Sequence, residues 1–167
     1  LILCAGLFWL ASFLPADKEK DIVYWDQRPL TWADFKGAVP ASSAFVAMTH
    51  SAIVLNFSGE GSTITFSVAS AFYPKLSWKK KQVDAHILKH EQGHFDITEI
   101  HARLLRKQIQ ELTFKTYETI GTDVQRIFTK NSDACDNMQD LYDHETDHSK
   151  LKDAQSTWDL KIDQMLD

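Results

Sequence analysis

From Asp21 to Trp78 hydrophobic residues tend to alternate with polar ones, whereas beyond Pro74 they settle into recurrences of three and four. Alternation places successive side chains on opposite faces of a strand, and the longer period lines one face of a helix. The first part therefore predicts a small antiparallel sheet and the second a set of helices. Within the first part, Ile53, Leu55 and Phe57 alternate along Ser51 to Phe57, and Ile64, Phe66 and Val68 along Ser62 to Phe72. Ser58-Gly59-Glu60-Gly61 between them supplies the turn of a hairpin. Trp25, Leu30, Trp32 and Phe35 are expected to pack at one edge of the same sheet.

From about Lys79 to Ile120 there is no Pro and Gly93 is the one Gly, while Ile97, Ile100, Leu104, Leu105, Ile109 and Leu112 keep the helical period. The spacing predicts one long helix, or two with a break near Thr113, with Gly121 as a stop. Asn131-Ser132-Asp133 reads as a cap for a further helix through Leu141 and Tyr142 to about His148. A last amphipathic helix carries Leu151, Trp158, Ile162 and Met165 or Leu166. The fold class is α+β, in a single domain over residues 21–167, with its sheet in 21–78 and its helices in 79–167.

Composition adds two points. A chain of 167 residues that is 44% hydrophobic can bury one core. Its net charge of -5, with Lys79-Lys80-Lys81 as the longest basic run, gives no footprint for nucleic acid. That run reads as a solvated helix start. Leu1 to Leu14 carry no charge, and the apolar stretch ends at Pro15-Ala16-Asp17. Roughly 14 apolar residues are fewer than the ~20 that span a bilayer, so residues 1–16 read as the hydrophobic part of a signal peptide or as an N-terminal anchor. Either reading places the domain outside the cytoplasm, secreted or periplasmic, with membrane association through this segment in the anchored case. Cys4 follows a bulky Leu3 where a lipid-attachment signal wants a small residue, which disfavours a lipoprotein. Nothing in the pattern sets an oligomeric state.

The candidate chemistry lies at His90-Glu91-Gln92-Gly93-His94. Two histidines four apart on a helix share a face and can reach one zinc ion, with the intervening Glu beside a metal-activated water. A third ligand is then needed. His86 lies on the same face but about 12 Å along the axis from His94, and His101 about 10 Å beyond it, so neither can join both imidazoles. The glycine turn that brings in a third histidine in metzincins fails as well, because Ile97 and Ile100 occupy those positions. The remaining donors cluster in Tyr142 to His148, which holds a second copy of the pattern, His144-Glu145-Thr146-Asp147-His148. The first copy sits in a strong amphipathic helix and is taken as the metal-binding pair. The second, crowded with acids near a helix end, is taken as the source of the third ligand, either His148 or Glu145.

Four stretches in this order carry a resemblance: Trp32-Ala33-Asp34-Phe35-Lys36-Gly37, then Ser77-Trp78, then His90 to Ile97, then Tyr142-Asp143 with Thr146 and His148. From about Trp25 to the C-terminal helix the chain resembles the bacterial domain-of-unknown-function family numbered 922, described as predicted secreted zinc-dependent proteases. The resemblance implies a zincin-like arrangement around one Zn2+ ion, acting on a peptide or protein substrate. The family's later motif, Tyr-Asp-x-x-Thr-x-His-Gly, favours His148 as the third ligand, although Ser149 stands where that motif has Gly. It also implies Glu91 as the general base, Tyr142 as a hydrogen-bond donor to a developing oxyanion, and Asp143 or Asp147 as an orienter of an imidazole. The contrasting expectation is a non-catalytic envelope module whose metal is structural or absent.

Overall fold

The computed structural model describes residues 21–60, 63–112 and 117–167, so the apolar segment read as an export signal or anchor lies outside the described residues. Its strands are β1 (Val23–Tyr24), β2 (Ala47–Met48), β3 (Ser51–Glu60), β4 (Thr63–Phe72) and β5 (Trp78–Lys79). Its helices are α1 (Ala85–Gln110), α2 (Tyr117–Thr146) and α3 (Lys152–Leu166), giving a mixed α+β fold. Among the described residues no helix is long and apolar enough to cross a membrane.

The alternating stretches form the hairpin of β3 and β4, with pairs running from Ser51↔Phe72 to Glu60↔Thr63, and β1 adds antiparallel to the other edge of β4. Residues directly opposite in an antiparallel pair share a face. Ser51, Ile53 and Leu55 therefore line one face with Phe72, Ser70 and Val68, and α1 packs on it. Ser51 Oγ lies 2.7 Å from Thr98 Oγ1, the rings of Phe72 and Phe95 are 5.9 Å apart, and Ile53 and Leu55 join Ala102, Leu105 and Ile109 in one buried cluster. Val124 and Phe128 of α2 complete that cluster. A second cluster, of Ile97 and Ile100 with Cys135, Tyr142, Trp158 and Ile162, joins all three helices.

A separate two-stranded antiparallel sheet pairs β2 with β5. Lys79 thus lies on a strand, and the lysine run is not a helix start. The helix begins six residues later, where the Asp84 carboxylate accepts from the backbone N–H of Ile87 at 2.9 Å. Before it, Trp32–Asp34 form a single 3-10 turn whose Phe35 packs edge-on against Phe72. This turn is pinned to the second sheet through Gly37, whose N–H donates to Ser77 O at 2.7 Å. A Cβ there would stand 2.8 Å from that oxygen and 2.9 Å from Lys75 O, so the approach requires glycine.

Two expectations about helix ends are corrected. Gly121 lies inside α2 with open space around it, and Asn131-Ser132 run through the helix rather than capping one. The Asn131 amide instead reaches across to α1, donating to Gln108 Oε1 at 2.9 Å and presenting Oδ1 to His101 Nδ1 at 3.2 Å. Helix α1 ends at Gln110 and α2 begins at Tyr117, Thr113 lying outside the described residues, and α3 follows the expected last amphipathic stretch.

Candidate metal centre and catalytic cleft

His90, Glu91 and His94 lie on α1, and all three are buried. Each imidazole is oriented by a glutamine from a different helix. His90 Nδ1 is 2.9 Å from Gln155 Oε1 of α3, and His94 Nδ1 is 2.5 Å from Gln139 Oε1 of α2. Both amides have their oxygens fixed by where their nitrogens go. Gln155 Nε2 donates to Asp159 Oδ1 at 2.8 Å and to Tyr142 OH at 2.6 Å; Gln139 Nε2 donates to His94 O at 2.8 Å and Thr98 Oγ1 at 3.2 Å. An amide oxygen only accepts, so each Nδ1 carries its proton and each neutral imidazole presents a bare Nε2.

The two Nε2 atoms are 3.2 Å apart, and Asp143 Oδ1 lies 3.0 Å from one and 3.1 Å from the other. Three acceptors converge with no donor between them, an array that needs a cation, either a proton or a metal ion. The electrostatics agree with that demand. Burial presses the His94 pKa down, but the hydrogen bond and charge of Asp143 outweigh it and raise it. Burial presses Asp143 up, and its hydrogen bonds to His90 and His94 outweigh that and hold it well below the usual carboxylate range. His90, His94 and Asp143 are the residues that could hold a metal ion among those described.

Among the described residues the third atom grouped with the two imidazoles is therefore Asp143 Oδ1, where the sequence pointed to His148 or Glu145. The physical reason is helical phase. Gln139 and Asp143 are four apart, with Tyr142 and Thr146 on the same buried face of α2, whereas Glu145 faces away and accepts from Trp158 Nε1 at 2.7 Å. His148 lies past the end of α2, so His144 and His148 share no helical face and the second copy of the pattern makes no pair. His148 nonetheless comes back toward the site, with Nδ1 3.3 Å from Asp143 Oδ1 and its ring 4.7 Å from that of Phe45. A left-handed turn aims it there, at φ 46° for Asp147, 51° for His148 and 72° for Ser149. His86 Nε2, 2.7 Å from Ser149 O, braces this turn, and His101 is buried against Asn131; neither approaches the metal group.

A cleft of about 320 Å³ opens over the three donors. Glu91 and His148 line it, as do Phe45 and Val46 just before β2 and Ala47 and Met48 on it. Burial raises the Glu91 pKa, against the pull of His94, His90 and the hydrogen bond from Thr49. That shift moves a carboxylic acid toward the range in which it exchanges protons at neutral pH. Tyr142, expected as an oxyanion donor, does not line the cleft. Its ring is stacked behind His90, 4.6 Å between centroids at 20°, and its hydroxyl accepts from Gln155 and donates to His90 O at 3.3 Å. Burial pushes its pKa up. It acts as a wall that orients the His90 ring.

The family described as Bacterial protein of unknown function (DUF922) matches residues 64–149, slightly more than half of the 167-residue chain. The chain belongs to DUF922. No curated protein and no solved structure matches it. The DUF922 match runs from β4 to the turn after α2, and so contains His90, Glu91, His94, Asp143 and His148. It leaves outside it the Trp32 to Gly37 turn, Thr49, which contacts Glu91, and Gln155, which contacts His90. Gln139, Gln155 and Thr49 escaped the reading of the sequence. The i, i+4 spacing of Gln139 and Asp143 was the signal available for α2; Thr49 and Gln155 had none short of the folded contacts.

Proposed function

We propose that this DUF922 protein is a secreted or periplasmic zinc-dependent hydrolase, a peptidase that cleaves amide bonds. The observation that carries the reading is the convergence of His90 Nε2, His94 Nε2 and Asp143 Oδ1 within 3.2 Å of one another beside a buried Glu91. The spacing fits the donor set. Ligand atoms at about 2.0–2.1 Å from a tetrahedral zinc ion lie about 3.3 Å apart, and two imidazoles with a carboxylate leave one position open. A zinc ion held there supplies a Lewis acid and lowers the pKa of water to about 7. Glu91, facing the cleft, takes the proton of the attacking water and returns it to the leaving amine. Gln155 and Gln139 keep the Nε2 atoms turned inward. The strand-edge position of β2 beside the cleft lets an extended peptide lie along it. Export rests on the apolar residues 1–16 alone.

One observation favours the contrasting reading of a non-catalytic module with a structural metal. His148 Nδ1 lies 3.3 Å from Asp143 Oδ1, close enough to supply a fourth side chain and close the site. Glu91→Gln separates the two. The hydrolase reading expects this variant to keep one zinc ion per chain and to lose turnover of a peptide library by at least about a hundredfold, as for loss of a general base. Zinc-free wild-type protein, or turnover unchanged by the substitution, overturns it.

A further inference from the structure

Glu91 accepts a hydrogen bond from a single described side chain, Thr49, a residue from the segment that joins β2 to β3. We infer that Thr49 is the positioning residue for Glu91: it pins one carboxylate oxygen against the sheet and leaves the other turned to the cleft. This rests on the hydrolase reading for its consequence in turnover, while the geometry behind it stands by itself.

Thr49 is 1% exposed, and its hydroxyl lies 2.7 Å from Glu91 Oε2 and 3.1 Å from the Glu91 backbone oxygen. One hydroxyl proton faces two acceptors, and the shorter contact to the carboxylate takes it. Glu91 Oε1 has no hydrogen-bond partner among the described residues, yet it is not among the buried polar atoms sealed without one. It therefore opens on the cleft that Glu91 lines. The two oxygens of one carboxylate thus have different tasks.

Thr49 itself is held in place by the parts of the fold that the motifs around Trp32 and Ser77 build. Next to it, His50 donates its N–H to Ser77 Oγ at 2.8 Å, and His50 O accepts from Tyr73 N at 2.9 Å. Ser77 O in turn accepts from Gly37 N at 2.7 Å, in the approach that admits only glycine. Two residues on, Ser51 Oγ meets Thr98 Oγ1 on α1. On the other side Met48 is paired with Trp78, so the crossing between the two sheets is held on both sides of Thr49 and carries its hydroxyl to Glu91. This gives the turn at Trp32–Gly37 a function in the site although none of its residues lines the cleft: it sets the height of the crossing over α1.

The test compares wild-type protein with Thr49→Val, which keeps the volume and removes the donor, and Thr49→Ser, which keeps the donor. Each is loaded with zinc, crystallised, and assayed on a peptide library. The expected result for T49V is one zinc ion per chain, a Glu91 carboxylate displaced from its place beside residue 49, and kcat lower by about tenfold to a hundredfold, the cost of about 1 Å of misplacement, with KM changed less than about twofold. T49S restores both the carboxylate position and kcat. A Glu91 carboxylate in its wild-type place in T49V, or an unchanged kcat, overturns the inference. Should T49V not fold, Thr49→Ala removes the same donor without adding bulk and carries the same comparison. Wild-type protein without turnover would refute the hydrolase reading, and the crystallographic comparison would still decide the role of Thr49.

Discussion

Gly93 occupies a helix interior, where alanine is ordinarily better by about 0.5–1 kcal/mol. Here a Cβ would run into Tyr142 OH and stand 2.8 Å from the ring carbon that bears it. The ring cannot swing aside, because it is fully buried, stacked on His90 and hydrogen-bonded to Gln155. Gly93→Ala is therefore expected to destabilise the protein by about 1–3 kcal/mol through overpacking, read as a fall in the denaturation midpoint, and to weaken metal binding because His90 loses its backing. Gly121, with nothing within 4 Å, gives the control: Gly121→Ala is expected to stabilise by about 0.5–1 kcal/mol. At this scale the sequence showed that His90, Glu91 and His94 belong to one site, since a four-residue spacing on a helix is enough to put two imidazoles together. It did not show the glycine's task, which depends on a ring arriving from α2. Nor did it mark Asp143 as a donor beside the two imidazoles: it left His148 and Glu145 as the alternatives and gave Asp143 an orienting role, because the choice turns on where α2 stops.

The helices and the hairpin were legible because their hydrophobic period is strong. Their ends were less so. Asn131 has the chemistry of a cap, and its amide is used instead to tie α2 to α1 through Gln108 and His101, a tertiary demand that local preference does not record. The 3-10 turn at Trp32–Asp34 makes a prediction of its own. The hydrogen bond from Arg28 lowers the Asp34 pKa to about 2, against burial and with help from the Thr31 N–H and hydroxyl. A carboxylate whose pKa falls on folding contributes stability that is complete above its unfolded value of 3.8 and is lost as pH drops toward 2. Denaturation midpoints measured from pH 5 to pH 2 should fall, and Asp34→Asn should flatten the part of that fall owed to this turn. An identical slope in the variant would show that the turn carries none of it.

At the scale of the whole molecule, the site is an assembly of parts far apart in the chain. α1 supplies two imidazoles and the acid, α2 supplies Asp143 and Gln139, α3 supplies Gln155, and the crossing between the sheets supplies Thr49. The DUF922 match covers the first two of these and not the last two, so the site extends beyond the segment that identifies the family. Binding a metal ion should accordingly stabilise the packing of all three helices together, since the donors converge only when they are docked. The most direct test is a zinc titration of purified protein, with stoichiometry and affinity compared between wild type, Asp143→Ala and His148→Ala. One zinc ion per wild-type chain is expected, with an affinity at least about a hundredfold weaker in D143A, as for loss of a direct ligand rather than an outer partner, and full stoichiometry in H148A. Wild-type protein that binds no zinc, or D143A that binds it as tightly as wild type, would contradict that expectation.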